Sequence, residues 1–204
     1  LHFIGADIAG DPFDVVGALC GAVGYQPSFG TLSTRGIIPF APTLDHPGFL
    51  GKTVDDVAML AGVFDIHMPQ HAAASQARLG VVREIAPVPL STEVAAAFDS
   101  AVAGLGQAFA CTTLDARGLF DGVFEAFAHI VLAEGAVEHF RRNDAHCIAT
   151  RYGRETIERL ARARTLTLDD YARAQQTRRD FSARLHRAMS GLDGLVLPTC
   201  PCTA

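Results

Sequence analysis

Apolar positions recur along this chain with two alternating periods, and they divide it into strands and helices. Leu1 to Ile4 predict a short buried strand, followed by a loop of small residues from Gly5 to Gly10. Gly17 to Gly24 are small and apolar, which suits close backbone packing or a buried helix. From Pro27 to Gly51 the chain is punctuated by Gly30, Gly36, Pro39, Pro42, Pro47 and Gly48, which excludes a helix and predicts a long, packed irregular stretch. Thr53 then caps a helix with Asp55 and Asp56 in its first turn, and Val57, Leu60 and Ala61 share one face. Arg78 to Arg83 reads as a strand. A helix follows Thr92, with the stripe Val94, Phe98, Ala101, Leu105 and Phe109 at the 3.6-residue period. Cys111 to Leu114 reads as a further strand.

The next helix, about Phe120 to Phe140, is apolar on more than one side and is expected to be well buried. A short, charge-dense helix is expected over Tyr152 to Ala163. A long one starts at the cap Thr167, with Asp170 completing a capping box and a stripe of Leu168, Tyr171, Ala174, Phe181, Leu185 and Met189. Leu192 to Leu197 ends the pattern as a strand stopped by Pro198. With no internal repeat and no linker, residues 1–204 read as a single α/β unit with a largely parallel or mixed sheet covered by helices. Its first residues already lie in a strand and its last just follow one, so it reads as part of a longer fold.

Composition narrows the function classes. Nearly half of the residues are apolar and the net charge is −5, which excludes a disordered chain and the concentrated basic face of a nucleic-acid binder. The cations are sixteen arginines and one lysine, Lys52, so a lysine-dependent mechanism run by these residues must use it. Five cysteines without a regular framework argue against a secreted disulfide scaffold, and no long uncharged apolar run suggests a membrane span. A cytoplasmic protein with reduced thiols is expected. Cys200 and Cys202 are spaced too closely for the usual zinc pair, and Pro69 between His67 and His71 breaks the helix that would align them, so neither pair is read as a metal site.

Three stretches, in order, resemble the amidase signature family. Gly5-Ala6-Asp7-Ile8-Ala9-Gly10 is similar to the family's Gly-Thr-Asp-x-Gly-Gly loop. Cys20 to Gly30, Leu44-Asp45-His46-Pro47-Gly48 and Lys52-Thr53-Val54-Asp55-Asp56 parallel its central block. Asp169 to Arg179 followed by Leu195 to Pro201 resembles its closing helix and strand. The resemblance implies an α/β/α sandwich around a mixed sheet, incomplete at the N-terminus, and an amide C–N bond hydrolase ancestry. It implies no cofactor. The family's catalytic lysine and second serine lie before the stretch represented here.

By the same resemblance, backbone N–H groups of Ile8, Ala9 and Gly10 would form the oxyanion hole, usually a large contribution to acyl transfer. The nucleophile's position is held by Asp11. Where the family continues Ser-x-Arg-x-Pro, this chain has Asp11-Pro12-Phe13-Asp14-Val15. A carboxylate there would set its own charge against the developing oxyanion, and Pro12 removes an N–H donor. The favoured reading is therefore a degenerate, inactive loop rather than a nucleophilic Asp11. The rivals are a pseudoenzyme that binds a small amide or stabilises a partner, and an amidase with rearranged residues. Lys52 reads as a surface or ion-pairing residue, Ser28 and Ser33 as turn residues, and Asp7 as a loop-holding acceptor. An exposed apolar seam is expected where the remainder of the fold would pack, favouring a homo-oligomer or a partner chain.

Overall fold

The computed structural model describes residues 3–7, 13–66, 77–83 and 89–204. Residues 8–12, and with them Ile8, Ala9, Gly10 and Asp11, lie outside the described residues, as do Leu1, His67 and His71.

β1 (Phe3–Asp7) runs antiparallel to β3 (His46–Gly51), with Phe3 opposite Leu50 and Asp7 opposite His46. β2 (Val23–Tyr25) pairs with the other edge of β3, giving an antiparallel sheet in the order β1-β3-β2. α1 (Phe13–Cys20) packs on it at very short range. A Cβ at Gly17 would lie 3.0 Å from both the Ala22 carbonyl oxygen and the Gly24 nitrogen, so only glycine permits this approach. Of the small-residue run only Gly17–Cys20 is helical, with Ala18, Leu19 and Cys20 exposed, so the run serves the expected close backbone contact and not a buried helix.

The sequence pattern does not predict β3. Pro47, Gly48 and Gly51 read as breakers, yet the segment is a central strand. Pairing on both edges and the complete burial of Phe49 outweigh local propensity. Phe49 stacks on Tyr25 at 6.3 Å, meets Phe64 at 5.5 Å, and packs with Val57 and Ala61 of α2 (Val54–Val63). Thr53 caps α2 as expected: its hydroxyl accepts the Asp56 N–H at 3.2 Å, and the Asp56 carboxylate accepts the Thr53 N–H at 2.9 Å.

The remaining strands form a second sheet. β4 (Arg78–Val81) is flanked in parallel by β5 (Ala110–Thr113) and β6 (Gly194–Val196). The described strands make two three-stranded sheets, one antiparallel and one parallel, so the mixed α/β character that the sequence predicts is present with both strand directions. α3 (Thr92–Leu105) begins where anticipated, but Ser91 is its cap, accepting the Val94 N–H at 3.3 Å. Its stripe is only half-covered, and Ala101 is exposed.

Helices make up the other half of the molecule. α4 (Val123–Arg142) contacts α7 (Leu168–Ala188) through Ala126, Ile130 and Ala174. It also contacts α5 (Ala145–Arg151) and α6 (Arg154–Ala163) through Ala136, Ile148, Leu160 and Ala163. α5 is too short to show a period in the sequence; Asp144 caps it by accepting the Cys147 N–H at 2.7 Å. The capping box of α7 is present as expected, with Asp170 N–H on the Thr167 hydroxyl at 3.1 Å and Thr167 N–H on the Asp170 carboxylate at 2.9 Å. α4 is less buried than its composition suggests, because Phe124, Phe127 and Val137 face outward.

His139 on α4 is a partly buried titratable group of this helical half. Tyr152 Oη lies 2.8 Å from its Nδ1, within hydrogen-bond distance, and also accepts from Asn143 Nδ2 at 2.9 Å. Partial burial lowers the His139 pKa, with the Glu138 carboxylate opposing. The folded protein then binds fewer protons than the unfolded chain just below the free-histidine pKa of about 6.5, so stability rises with pH through that window and is lost as pH falls through it. Urea midpoints should drop between pH 7.5 and 5.5, and His139→Gln should flatten that part of the profile.

Candidate active site

The frame of the expected oxyanion loop is a strand before it and a helix after it. β1 ends at Asp7, opposite His46 of β3, and α1 begins at Phe13, so residues 8–12 join a strand end to the positive end of a helix. Gly17 and the Ala22 N–H, which donates to the Gly17 carbonyl at 2.7 Å, clamp α1 against the turn into β2.

His46 sits beside this frame. The Phe29 ring meets it edge-on at 5.6 Å, and Gln26 Nε2 donates to its carbonyl at 3.2 Å. Its Nε2 is buried without a hydrogen-bond partner among the described residues.

The preceding turn is held by one carboxylate. Asp45 is 4% exposed; its Oδ2 accepts the Phe40 N–H at 2.9 Å and its Oδ1 the Ala41 N–H at 3.0 Å. This closes Phe40–Asp45 into a tight unit and sets the entry into β3. Phe40 then rests edge-on against His139 at 5.5 Å and over Gly135, where a Cβ would come within 3.1 Å of its ring.

The same turn is tied to the helices through Glu134. Glu134 accepts the Thr43 N–H at 2.9 Å, the Thr43 hydroxyl at 2.6 Å and the Tyr171 hydroxyl at 2.7 Å. Gln175 Nε2 donates to Tyr171 Oη at 3.0 Å, and Arg178 Nη1 to Thr43 Oγ1 at 3.3 Å. Burial, reinforced by Glu134, raises the Tyr171 pKa.

Cavities flank α4 on two sides. One of about 570 Å³ is lined by Phe40, Phe127, Val131, His139, Arg159 and Arg162. The other, about 740 Å³, has Thr43, Glu134, Val137, Phe140 and Leu168 on its walls. A third, about 340 Å³, lies between α1, α3 and the end of β6, with Cys200 and Cys202 on its wall. No disulfide links the five cysteines.

Of the residues that the sequence singles out, Lys52 is exposed ahead of the α2 cap. Ser33 makes the expected turn, its hydroxyl accepting the Arg35 N–H at 3.1 Å, and the Ser28 carbonyl accepts the Thr31 N–H at 3.0 Å. The sequence places Asp45 in a motif and Tyr171 in a helix stripe, but assigns no anchoring role to Asp45, Glu134 or Tyr171. A single acid amid the apolar run of α4, and one at the end of a proline-rich stretch, are the signals that point to them.

β1 and α1, an Asp45-locked turn and a helical layer anchored by Glu134 make up a mixed α/β fold. The chain belongs to the amidase family, whose model matches residues 17–204. It is 29% identical over 227 residues to a glutamyl-tRNA(Gln) amidotransferase polypeptide of Thermosynechococcus vestitus, covering 92% of this chain and 47% of that protein. It is 37% identical over 86 residues to an indoleacetamide hydrolase of Allorhizobium ampelinum, covering 42% of this chain and 19% of the relative. A crystal structure of an amidase superposes over 100% of this chain and 46% of its own, with a TM-score of 0.83 and 25% identity. The chain thus spans about half the length of the full relatives it matches.

Proposed function

We propose that this chain is a catalytically impaired half of an amide C–N hydrolase fold, acting as a pseudoenzyme that holds a small amide-like ligand. The observation that carries this reading is Asp11-Pro12-Phe13-Asp14-Val15 where the family has Ser-x-Arg-x-Pro, on a chain that keeps the strand and helix on either side.

The penalty of the substitution is chemical. A serine attacks a carbonyl once a base takes its proton, and the negative charge moves to the oxygen held by backbone N–H groups. A carboxylate at position 11 competes for those donors. Two unit charges about 4 Å apart at an effective dielectric of 20 repel by about 4 kcal/mol, or roughly a thousandfold in rate. The one lysine, exposed ahead of α2, offers no replacement base beside the loop frame.

A cytoplasmic setting fits five cysteines without a disulfide. No described helix is long and apolar enough to cross a membrane.

Ammonia release from simple amides and labelling by a fluorophosphonate probe test the reading. The unmodified protein should do neither, while still binding a short-chain amide in calorimetry. Asp11→Ser should remove the like-charge repulsion without supplying a base, leaving hydrolysis at background. Hydrolysis by the unmodified protein that Asp11→Ala abolishes would overturn the proposal and make Asp11 a nucleophile.

A further inference from the structure

The 740 Å³ cavity between α4 and the α6–α7 turn holds a carboxylate that no cation neutralises. Its size is that of an ordinary small-molecule pocket. Small side chains make the room: Ala133 and Ala136 on α4 and Ala163 at the end of α6. Phe140, Leu166, Val137 and Leu168 supply apolar wall, the last two largely exposed. Glu134 and Glu138 face the same space one helical turn apart. Glu138 is paired with Arg141 at 2.7 Å and Arg142 at 3.2 Å. Glu134 is half-buried and has no ion pair among the described residues. Its partners are neutral: the N–H and hydroxyl of Thr43 and the hydroxyl of Tyr171. Arg178 stops short of it, at the Thr43 hydroxyl. Arg164, the arginine on the lining, lies 4.5 Å over the Phe140 ring instead.

An ionised carboxylate offers about four acceptor positions on its two oxygens. Glu134 Oε1 receives the two hydroxyls, whereas Oε2 receives only the Thr43 N–H. One position on Oε2 is therefore left for a donor from the cavity. A charged donor suits it best, because a half-buried carboxylate held only by neutral groups gains most from an opposite charge. We propose that this cavity is a binding site for a primary alkylammonium ion, its N–H groups on Glu134 and its hydrocarbon body along Val137, Phe140, Leu166 and Leu168. The site is built from α4, α6 and α7 and does not involve residues 8–12, so it is independent of the role given to Asp11.

Calorimetry and methyl NMR on the 204-residue chain test it, with n-hexylammonium as the probe. The probe should bind with a Kd below about 1 mM and shift the methyl resonances of Val137, Leu166 and Leu168. Affinity should rise about threefold per methylene from n-propylammonium to n-hexylammonium. Hexanamide and n-hexanol, which carry donors without charge, should not displace it, and n-hexanoate should not bind. Glu134→Gln keeps the shape and one acceptor oxygen but removes the charge, and should weaken binding about tenfold or more. Because Glu134 also anchors Thr43 and Tyr171, a second variant leaves that anchor in place. Val137→Arg, at a position 63% exposed and three residues along α4, sets a competing cation within reach of the carboxylate and should weaken binding to a similar extent, whereas Val137→Leu should retain it. Absence of saturable binding, displacement by hexanamide or n-hexanol, methyl shifts confined to residues off this cavity, or an affinity unchanged by Val137→Arg would each overturn the proposal.

Discussion

Phe49→Ala lowers the unfolding free energy by about 4 kcal/mol, the cost of emptying a fully buried aromatic site. For a chain of this size that shifts the melting temperature by about 8–16 °C. The magnitude follows from what Phe49 connects. It sits mid-strand in β3, which is paired on both edges in the antiparallel sheet, and its ring meets Tyr25, Phe64, Val57 and Ala61. Truncation leaves a void between sheet and helix that the rigid strand cannot collapse to fill. Phe49→Leu keeps most of the apolar volume and should cost about 1.5 kcal/mol or less. Thermal and urea denaturation of the two variants check the ratio; an equal loss in both would show that the ring contacts, not the cavity, set the cost.

Asp45→Ala is expected to cost about 3 kcal/mol, because it strands the Phe40 and Ala41 N–H groups at a buried site. It should do more than destabilise. The Phe40–Asp45 turn forms one wall of the 570 Å³ cavity through Phe40 and leads directly into His46, opposite the strand end that opens the loop at residues 8–12. Loosening it should weaken binding of a short-chain amide together with stability. Asp45→Asn retains one acceptor but turns an amide donor toward an N–H, and should fall between the two. Calorimetric binding alongside denaturation separates the effects: unchanged affinity in a folded Asp45→Ala protein would detach this turn from the ligand site.

The candidate site is readable from sequence in unequal parts. Asp11 in the position of the family serine and the small residues before it are expectations carried by the resemblance, on residues outside the described ones. The contacts made by His46, Asp45, Glu134 and Tyr171 are not readable there. Glu134 and Tyr171 lie 37 residues apart and meet only when α7 packs on α4, and Thr43 joins them from 91 residues away. No local period reports such a meeting.

The boundary between the two kinds of information is physical. Local sequence determined what local energies decide: the capping boxes at Thr53 and Thr167, the inward face of α2, the close approach at Gly17, and the exclusion of a helix from the proline- and glycine-rich stretch. Tertiary structure decided what depends on partners distant in sequence. It made His46–Gly51 a central strand despite its proline and glycines, because ladder pairing on two edges and burial of Phe49 outweigh propensity. It divided the described strands into two sheets. It left Met59, Val63, Phe124 and Phe127 facing outward, because which face of a helix meets a neighbour is set by packing between elements and not by the helix's own period.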